Sequence, residues 1–158
     1  MNQHLITSLV AALVTGATAG AARADTATIN TTATILATCK FRSIPTALAF
    51  PDIDPGSDAP ATASASVSFS CTNGSTVQFA VNDKTSGAVD GRLTNGANAL
   101  GYTVAWSAPT NLSAQGLAQG HSYVSSVTLT GTIAKAAFQD AMAGAYSDGT
   151  GLKLSVNP

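Results

Sequence analysis

The sequence predicts an all-β fold, an antiparallel β-sandwich, on three observations. Apolar and polar residues alternate at period two in several short runs, and Gly, Asn, Asp and Pro turns separate those runs. Two cysteines, Cys39 and Cys71, lie on the apolar phase of two different runs. Only one stretch, Ala134 to Met142, has the composition of a helix.

The first 24 residues read as a secretory signal peptide. Leu5 to Val14 form an apolar run, Thr15 to Ala21 are small, and Ala22-Arg23-Ala24 has the A-x-A cleavage pattern, although no Lys or Arg precedes the apolar run. The run is shorter than the ~20 strongly apolar residues of a membrane helix. The mature chain is expected to begin at Asp25, outside the cytoplasm and without an anchor.

From Asp25 to Cys39 the odd positions Ala27, Ile29, Thr31, Ala33, Ile35, Ala37 and Cys39 form one small apolar edge, and the even positions are almost all Thr or Asn. At ~3.3 Å per residue this segment would span roughly 45 Å, too long for one sandwich strand. Its later part is expected to be the first strand and its earlier part a free tail, able to pair outside its own fold. The alternative is one long bent edge strand of a complete, monomeric sandwich.

Further along, Ala63, Ala65, Val67, Phe69 and Cys71 alternate with Thr and Ser, Asn73-Gly74 turns the chain, and Val77, Phe79 and Val81 resume the pattern. These two runs are expected to form a hairpin. Arg92 to Thr94 reads as a short strand ending at Asn95-Gly96, followed by strands carrying Leu100, Tyr102, Val104 and Trp106, and then Val127, Leu129, Gly131 and Ile133. Ala134 to Met142 would make two helical turns. The last strand places Leu152, Leu154 and Val156 inward. No hairpin return follows it, so a sheet edge beside it is expected to lack a neighbour. A spare strand at the start and an open edge at the end define a heterologous contact between copies, of the kind that builds filaments.

Composition sets bounds on function. Of 158 residues, 158 − 24 = 134 remain after cleavage, enough for one core. Charged residues are 9% of the chain, Glu is absent, and removal of Arg23 leaves six basic against eight acidic residues, a net charge of −2. No basic patch is available to neutralise phosphates, which argues against a nucleic-acid partner. Low charge suits a subunit that packs against copies of itself. In an oxidising compartment Cys39 and Cys71 read as one disulfide, which over a loop of about 32 residues should stabilise the fold by about 3.5–4 kcal/mol.

Several pieces together resemble the spore coat protein U domain family, which includes subunits of archaic chaperone-usher pili. They are the alternating start leading into Cys39, Leu48-Ala49-Phe50, Cys71 with Thr72-Asn73-Gly74, Gly101-Tyr102, Phe138-Gln139, and Gly144-Ala145-Tyr146-Ser147-Asp148 with the terminal strand through Val156. The Ala- and Ser-rich stretch between the aromatic-rich middle and the end departs from the family, where more charge is usual. The resemblance implies an incomplete immunoglobulin-like sandwich lacking its last strand. It also implies capture by a periplasmic chaperone, delivery to an outer-membrane usher, and polymerisation in which the N-terminal strand of the next subunit replaces the chaperone strand. On that reading residues 1–24 are the signal peptide, 25–35 the donor segment with Ala27, Ile29, Thr31, Ala33 and Ile35 facing the acceptor, and 36–158 the sandwich domain. The product is a surface fibre for adhesion and biofilm formation, assembled from copies of the chain or related pilus subunits.

Other chemistry is weakly signalled. Asp52, Asp54 and Asp58 have calcium-like spacing, but the twelfth position from Asp52 is Ala63 rather than Glu. His121 has no G-x-S-x-G partner motif. No C-x-x-C motif occurs, and neither an enzyme nor a cofactor is expected. Tyr146, ahead of the last strand, fits a tyrosine corner whose hydroxyl bonds backbone. Trp106 belongs to an alternating face and reads as core. The competing function is a self-contained secreted or coat-surface binding module, with an exposed aromatic taking carbohydrate.

Overall fold

A computed structural model describes residues 23–110, 112, 116–117 and 124–158. Among these described residues seven strands and one short helix follow in order: β1 (Cys39–Ser43), β2 (Ala61–Cys71), β3 (Gln78–Val81), β4 (Ala88–Asn95), β5 (Asn98–Trp106), β6 (Ser125–Ile133), α1 (Lys135–Phe138) and β7 (Leu154–Asn157). The signal-peptide reading, apart from residues 23–24, and His121 fall outside the described residues.

The strands form two antiparallel sheets, one ordered β1-β2-β6-β5-β4 and the other containing β3 and β7. Alternation does the sorting. On β2 the inward Val67, Phe69 and Cys71 are buried, while Thr62, Ser64 and Ser66 face out. On β6 Val127, Leu129 and Ile133 point in, and Thr128 and Thr130 point out. Phe79 and Val81 of β3 meet the inner face of the large sheet, and the Phe69 and Phe79 rings stack with centroids 6.0 Å apart. The chain is therefore an all-β sandwich. Among the described residues five strands oppose two, where the immunoglobulin arrangement sets four against three.

Four expectations need correction. The runs at 63–71 and 77–81 do not form a hairpin: β2 already has β1 on one edge and β6 on the other, so the chain crosses after Asn73-Gly74 to the second sheet, where β3 pairs β7. The first strand starts only at Cys39, because β2 ends at the facing Cys71. Beyond that pair the last ladder contact is the Thr72 amide donating to the Thr38 carbonyl, 2.8 Å. The strand ending at Asn95 begins at Ala88, its pattern blurred by Asp90 and Gly91. The helix is one turn rather than two. Ala134 offers no capping side chain and no acidic residue stands in the first turn, so the helix N-terminus lacks both of its usual supports.

Cys39 and Cys71 are direct partners across β1 and β2 and form the disulfide, with Cα atoms 4.0 Å apart. It closes the end of the sandwich from which the N-terminal segment emerges.

Candidate functional site

Residues Ile35–Pro158 make one compact unit, and within it a groove of about 890 Å³ lies beside the start of β7, with Leu152 and Leu154 in its lining. Among the described residues β7 has β3 as its only strand partner. The register is Phe79 opposite Val156 and Val81 opposite Leu154. The entry to β7 is fixed from the β3 side: the Lys153 amide donates to Asn82 Oδ1 at 2.8 Å, and the Asn82 amide donates to the Lys153 carbonyl at 2.8 Å.

The floor of the groove is the inner face of β4, β5 and β6, with Leu93, Leu100, Tyr102, Leu129 and Ile133. One side is the extended chain from Ile44 to Ile53, which leaves β1 and lays Leu48 and Phe50 against β6. It can do so because residue 131 is glycine. A Cβ there would lie 2.8 Å from Leu48 Cδ2 and 2.9 Å from Phe50 Cζ. Phe50 also meets Tyr102 edge to face, centroids 6.0 Å apart. The other side is residues 141–154, with Leu152 and Leu154 facing the groove. This is apolar core surface with a strand edge beside it, the arrangement that accepts an added strand.

The 141–154 wall is fastened to the large sheet at two neighbouring points. Thr94 and Ser147 form an isolated β-bridge with reciprocal backbone hydrogen bonds of 2.8 and 3.1 Å. Next to it the Tyr102 hydroxyl donates to Asp148 Oδ2 at 2.5 Å. The other carboxylate oxygen accepts from the Thr150 amide (2.8 Å), the Thr150 hydroxyl (2.6 Å) and the Gly151 amide (3.2 Å), closing the turn that leads into β7. These donors, the Thr150 hydroxyl first and the Tyr102 hydroxyl second, hold the Asp148 carboxyl down to about 2. Burial, with the hydrogen bond to Asp148 second, pushes the Tyr102 hydroxyl well above its ordinary value. Behind Tyr102 is Gly91, its register partner on β4, over which the ring lies flat enough that an added Cβ would sit 2.1 Å from Cζ.

The residues singled out in the sequence fall as follows. Ala27, Ile29, Thr31 and Ala33 lie in the N-terminal unit and Ile35 at the start of the compact one; all are exposed and none belongs to a strand, with Ile29 87% and Ile35 85% accessible. Tyr146 is half-buried, lines the groove, and donates its hydroxyl to the Met142 carbonyl at 2.9 Å. Asp54 accepts from the Gly56 amide at 2.9 Å and Asp58 pairs with Lys135. Among the described residues no group of three or more His, Cys, Asp or Glu could hold a metal ion, and no helix is long and apolar enough to cross a membrane. Trp106 is half-buried against the core.

Sequence reasoning missed the Gly91–Tyr102–Asp148 chain and the groove side from Ile44 to Ile53. The first had a faint signal, a glycine interrupting an alternating strand, which marks a close approach by another group. No curated protein and no solved structure matches the chain. The model of the Spore Coat Protein U domain family matches residues 25–151, a span that takes in the alternating N-terminal segment, the disulfide and the fastened turn. With an all-β sandwich and this match over most of its length, the chain belongs to the Spore Coat Protein U domain family.

Proposed function

We propose that the protein is a structural pilus subunit that polymerises by donor-strand complementation, residues 25–35 of one copy entering the groove beside β7 of another. The observation that carries this reading is the groove itself: apolar, about 890 Å³, and bordered by a strand with one partner where an immunoglobulin sheet would supply two. The exposed alternating segment supports it from the donor side. Ala27, Ile29, Thr31, Ala33 and Ile35 would face the groove. The two isoleucines would contribute about 1.5–3 kcal/mol each on burial and each ladder hydrogen bond roughly 0.5–1.5 kcal/mol. Tyr146 is proposed as the tyrosine corner that shapes the approach to β7, through its bond to the Met142 carbonyl.

On this reading the chain is exported, held in the periplasm by a chaperone that lends a strand to the groove, passed to an outer-membrane usher, and added to a surface fibre that serves adhesion and biofilm growth. The role needs no catalytic residue or cofactor. The test is Ile29→Asp in the full chain. Subunit joining, read as a ladder of SDS-resistant species, is expected to stop while export and chaperone capture continue. Fibres of normal length from that variant would refute the reading. So would a mature chain that, made without a chaperone, is a stable monomer indifferent to removal of residues 25–34.

A further inference from the structure

From the fastening of the groove wall we infer that Asp148 is a positioning residue for strand uptake, holding the lead-in to β7 at the width that an incoming strand requires; this rests on the donor-strand reading above. The geometry is a relay across three elements. Gly91 on β4 lets the Tyr102 ring lie down on the sheet, with Cβ space at 2.1 Å from Cζ. The ring is buried to 6% exposure, so its hydroxyl has one place to point. There it meets Asp148 Oδ2 at 2.5 Å, while Oδ1 gathers three donors from Thr150 and Gly151.

Tyr102, Asp148, Gly151, Leu152 and Leu154 all line the groove. The carboxylate thus ties the floor of the groove to the side formed by residues 141–154, six residues ahead of the first residue of β7. A strand-accepting edge is demanding, because ladder hydrogen bonds weaken steeply once distance or angle departs from the narrow range they prefer. Removing the tie need not unfold the sandwich, since β7 is still held by β3 and by Asn82. It leaves the wall joined to the floor at the Thr94–Ser147 bridge, with the turn from 148 to 151 no longer held to Tyr102. The contribution is therefore to the affinity of the groove rather than to the existence of the fold.

The test uses the full mature chain at nanomolar concentration and a fluorescent peptide of residues 25–36 as probe, with binding read by anisotropy and unfolding by circular dichroism. Asp148→Asn and Tyr102→Phe are compared with the native chain; the second keeps the ring on Gly91 and deletes only the bond. Both are expected to raise the half-saturating peptide concentration about tenfold, with β2 and β6 amides keeping their hydrogen-exchange protection and those of residues 149–154 losing it. Thr150→Ala, which leaves the Tyr102 bond in place, should give a smaller rise in the same direction and serves if Tyr102→Phe does not fold. Unchanged half-saturation in Asp148→Asn, or a lowered unfolding midpoint without any change in peptide binding, overturns the inference. A peptide carrying Ile29→Asp separates the two levels. Should it bind the native chain as well as the native peptide does, the donor-strand reading fails. Should it fail to bind while the clasp variants take up native peptide normally, only the role of Asp148 fails.

Discussion

Gly91 and Tyr102 face each other across β4 and β5, and replacing the glycine by alanine is the sharpest test of how this sandwich is packed. The new Cβ would lie 2.1 Å from Tyr102 Cζ and 2.4 Å from both Cε1 and the hydroxyl oxygen. Ordinary van der Waals contact begins near 3.4 Å, so the ring must retreat by more than an ångström. A flexible surface side chain could move away at little cost. Tyr102 is 6% exposed, packed edge-on against Phe50, and bonded to Asp148, so its retreat disturbs two neighbours and breaks a bond to a carboxylate.

Overpacking of this kind costs about 1–3 kcal/mol. Loss of a hydrogen bond to a charged group costs about 1.5–3 kcal/mol. Gly91→Ala should therefore destabilise the domain by about 3–5 kcal/mol, a large share of the ~5–15 kcal/mol that holds most domains folded. The assay is equilibrium unfolding by denaturant, followed by near-ultraviolet circular dichroism, for the four chains of a double-mutant cycle with Tyr102→Leu. In the leucine background the same Gly91→Ala change should cost little, since the ring that opposed it is gone, and could gain the ~0.5–1 kcal/mol by which alanine exceeds glycine in a strand. A cost below 0.5 kcal/mol in the native background, by the ~1 kcal/mol yardstick of ordinary mutations, would refute the packing argument. An equal cost in both backgrounds would refute it as well.

Removing the disulfide by Cys39→Ser with Cys71→Ser opens a loop with sequence separation 32 and should lower stability by about 3.5–4 kcal/mol, read as a drop in the denaturant midpoint. Acid should weaken the clasp in a defined window. The Asp148 carboxyl is depressed to about 2 in the fold, so its contribution is complete above the unfolded value near 4 and is lost as pH falls toward 2. With allowance for solvent screening at a half-exposed carboxylate the loss is about 1 kcal/mol, and Asp148→Asn should flatten that part of the stability profile. By contrast, the Lys153–Asp83 pair is about 70% exposed on both sides, and Lys153→Ala should move the unfolding midpoint by no more than about 0.5 kcal/mol.

The strand inventory was legible because side chains on a half-buried sheet must alternate, and β2, β5 and β6 do so nearly without exception. Pairing was legible only where it is local. Asn95-Gly96 joins β4 directly to β5, whereas the equally strong Asn73-Gly74 signal joins strands of different sheets. A turn motif specifies a reversal but carries no information about which edges are already taken, and the edges of β2 are occupied by the preceding β1 and the distant β6. The groove was legible at one end. The alternation of Leu152, Leu154 and Val156 marks the strand that borders it, but the side built from Ile44 to Ile53 has neither period two nor period 3.6, since it follows the contour of β6 at Gly131 rather than a ladder. Asp148 looked like any loop aspartate, because its partner Tyr102 lies 46 residues away.

On the donor-strand proposal, residues 25–35 and the Tyr102–Asp148 tie would bear on the same physical quantity. Of the five residues proposed to face the groove, only Ile29 and Ile35 carry a large apolar side chain; Ala27, Thr31 and Ala33 bury little surface. A joint made by such a segment must draw much of its free energy from the backbone ladder, each bond worth roughly 0.5–1.5 kcal/mol when well formed. Side-chain burial tolerates displacement of a few tenths of an ångström, but a ladder loses alignment along its whole length when one edge tilts. A groove that takes a small-residue strand therefore needs its edge held more firmly than one that takes a strand of large residues. Among the described residues β7 has β3 as its only strand partner, and where it begins is constrained by Asn82 on the β3 side and by Thr94, Tyr102 and Asp148 on the other. On the donor-strand proposal, the small residues of the 25–35 segment would account for a carboxylate that takes hydrogen bonds from two elements ahead of β7.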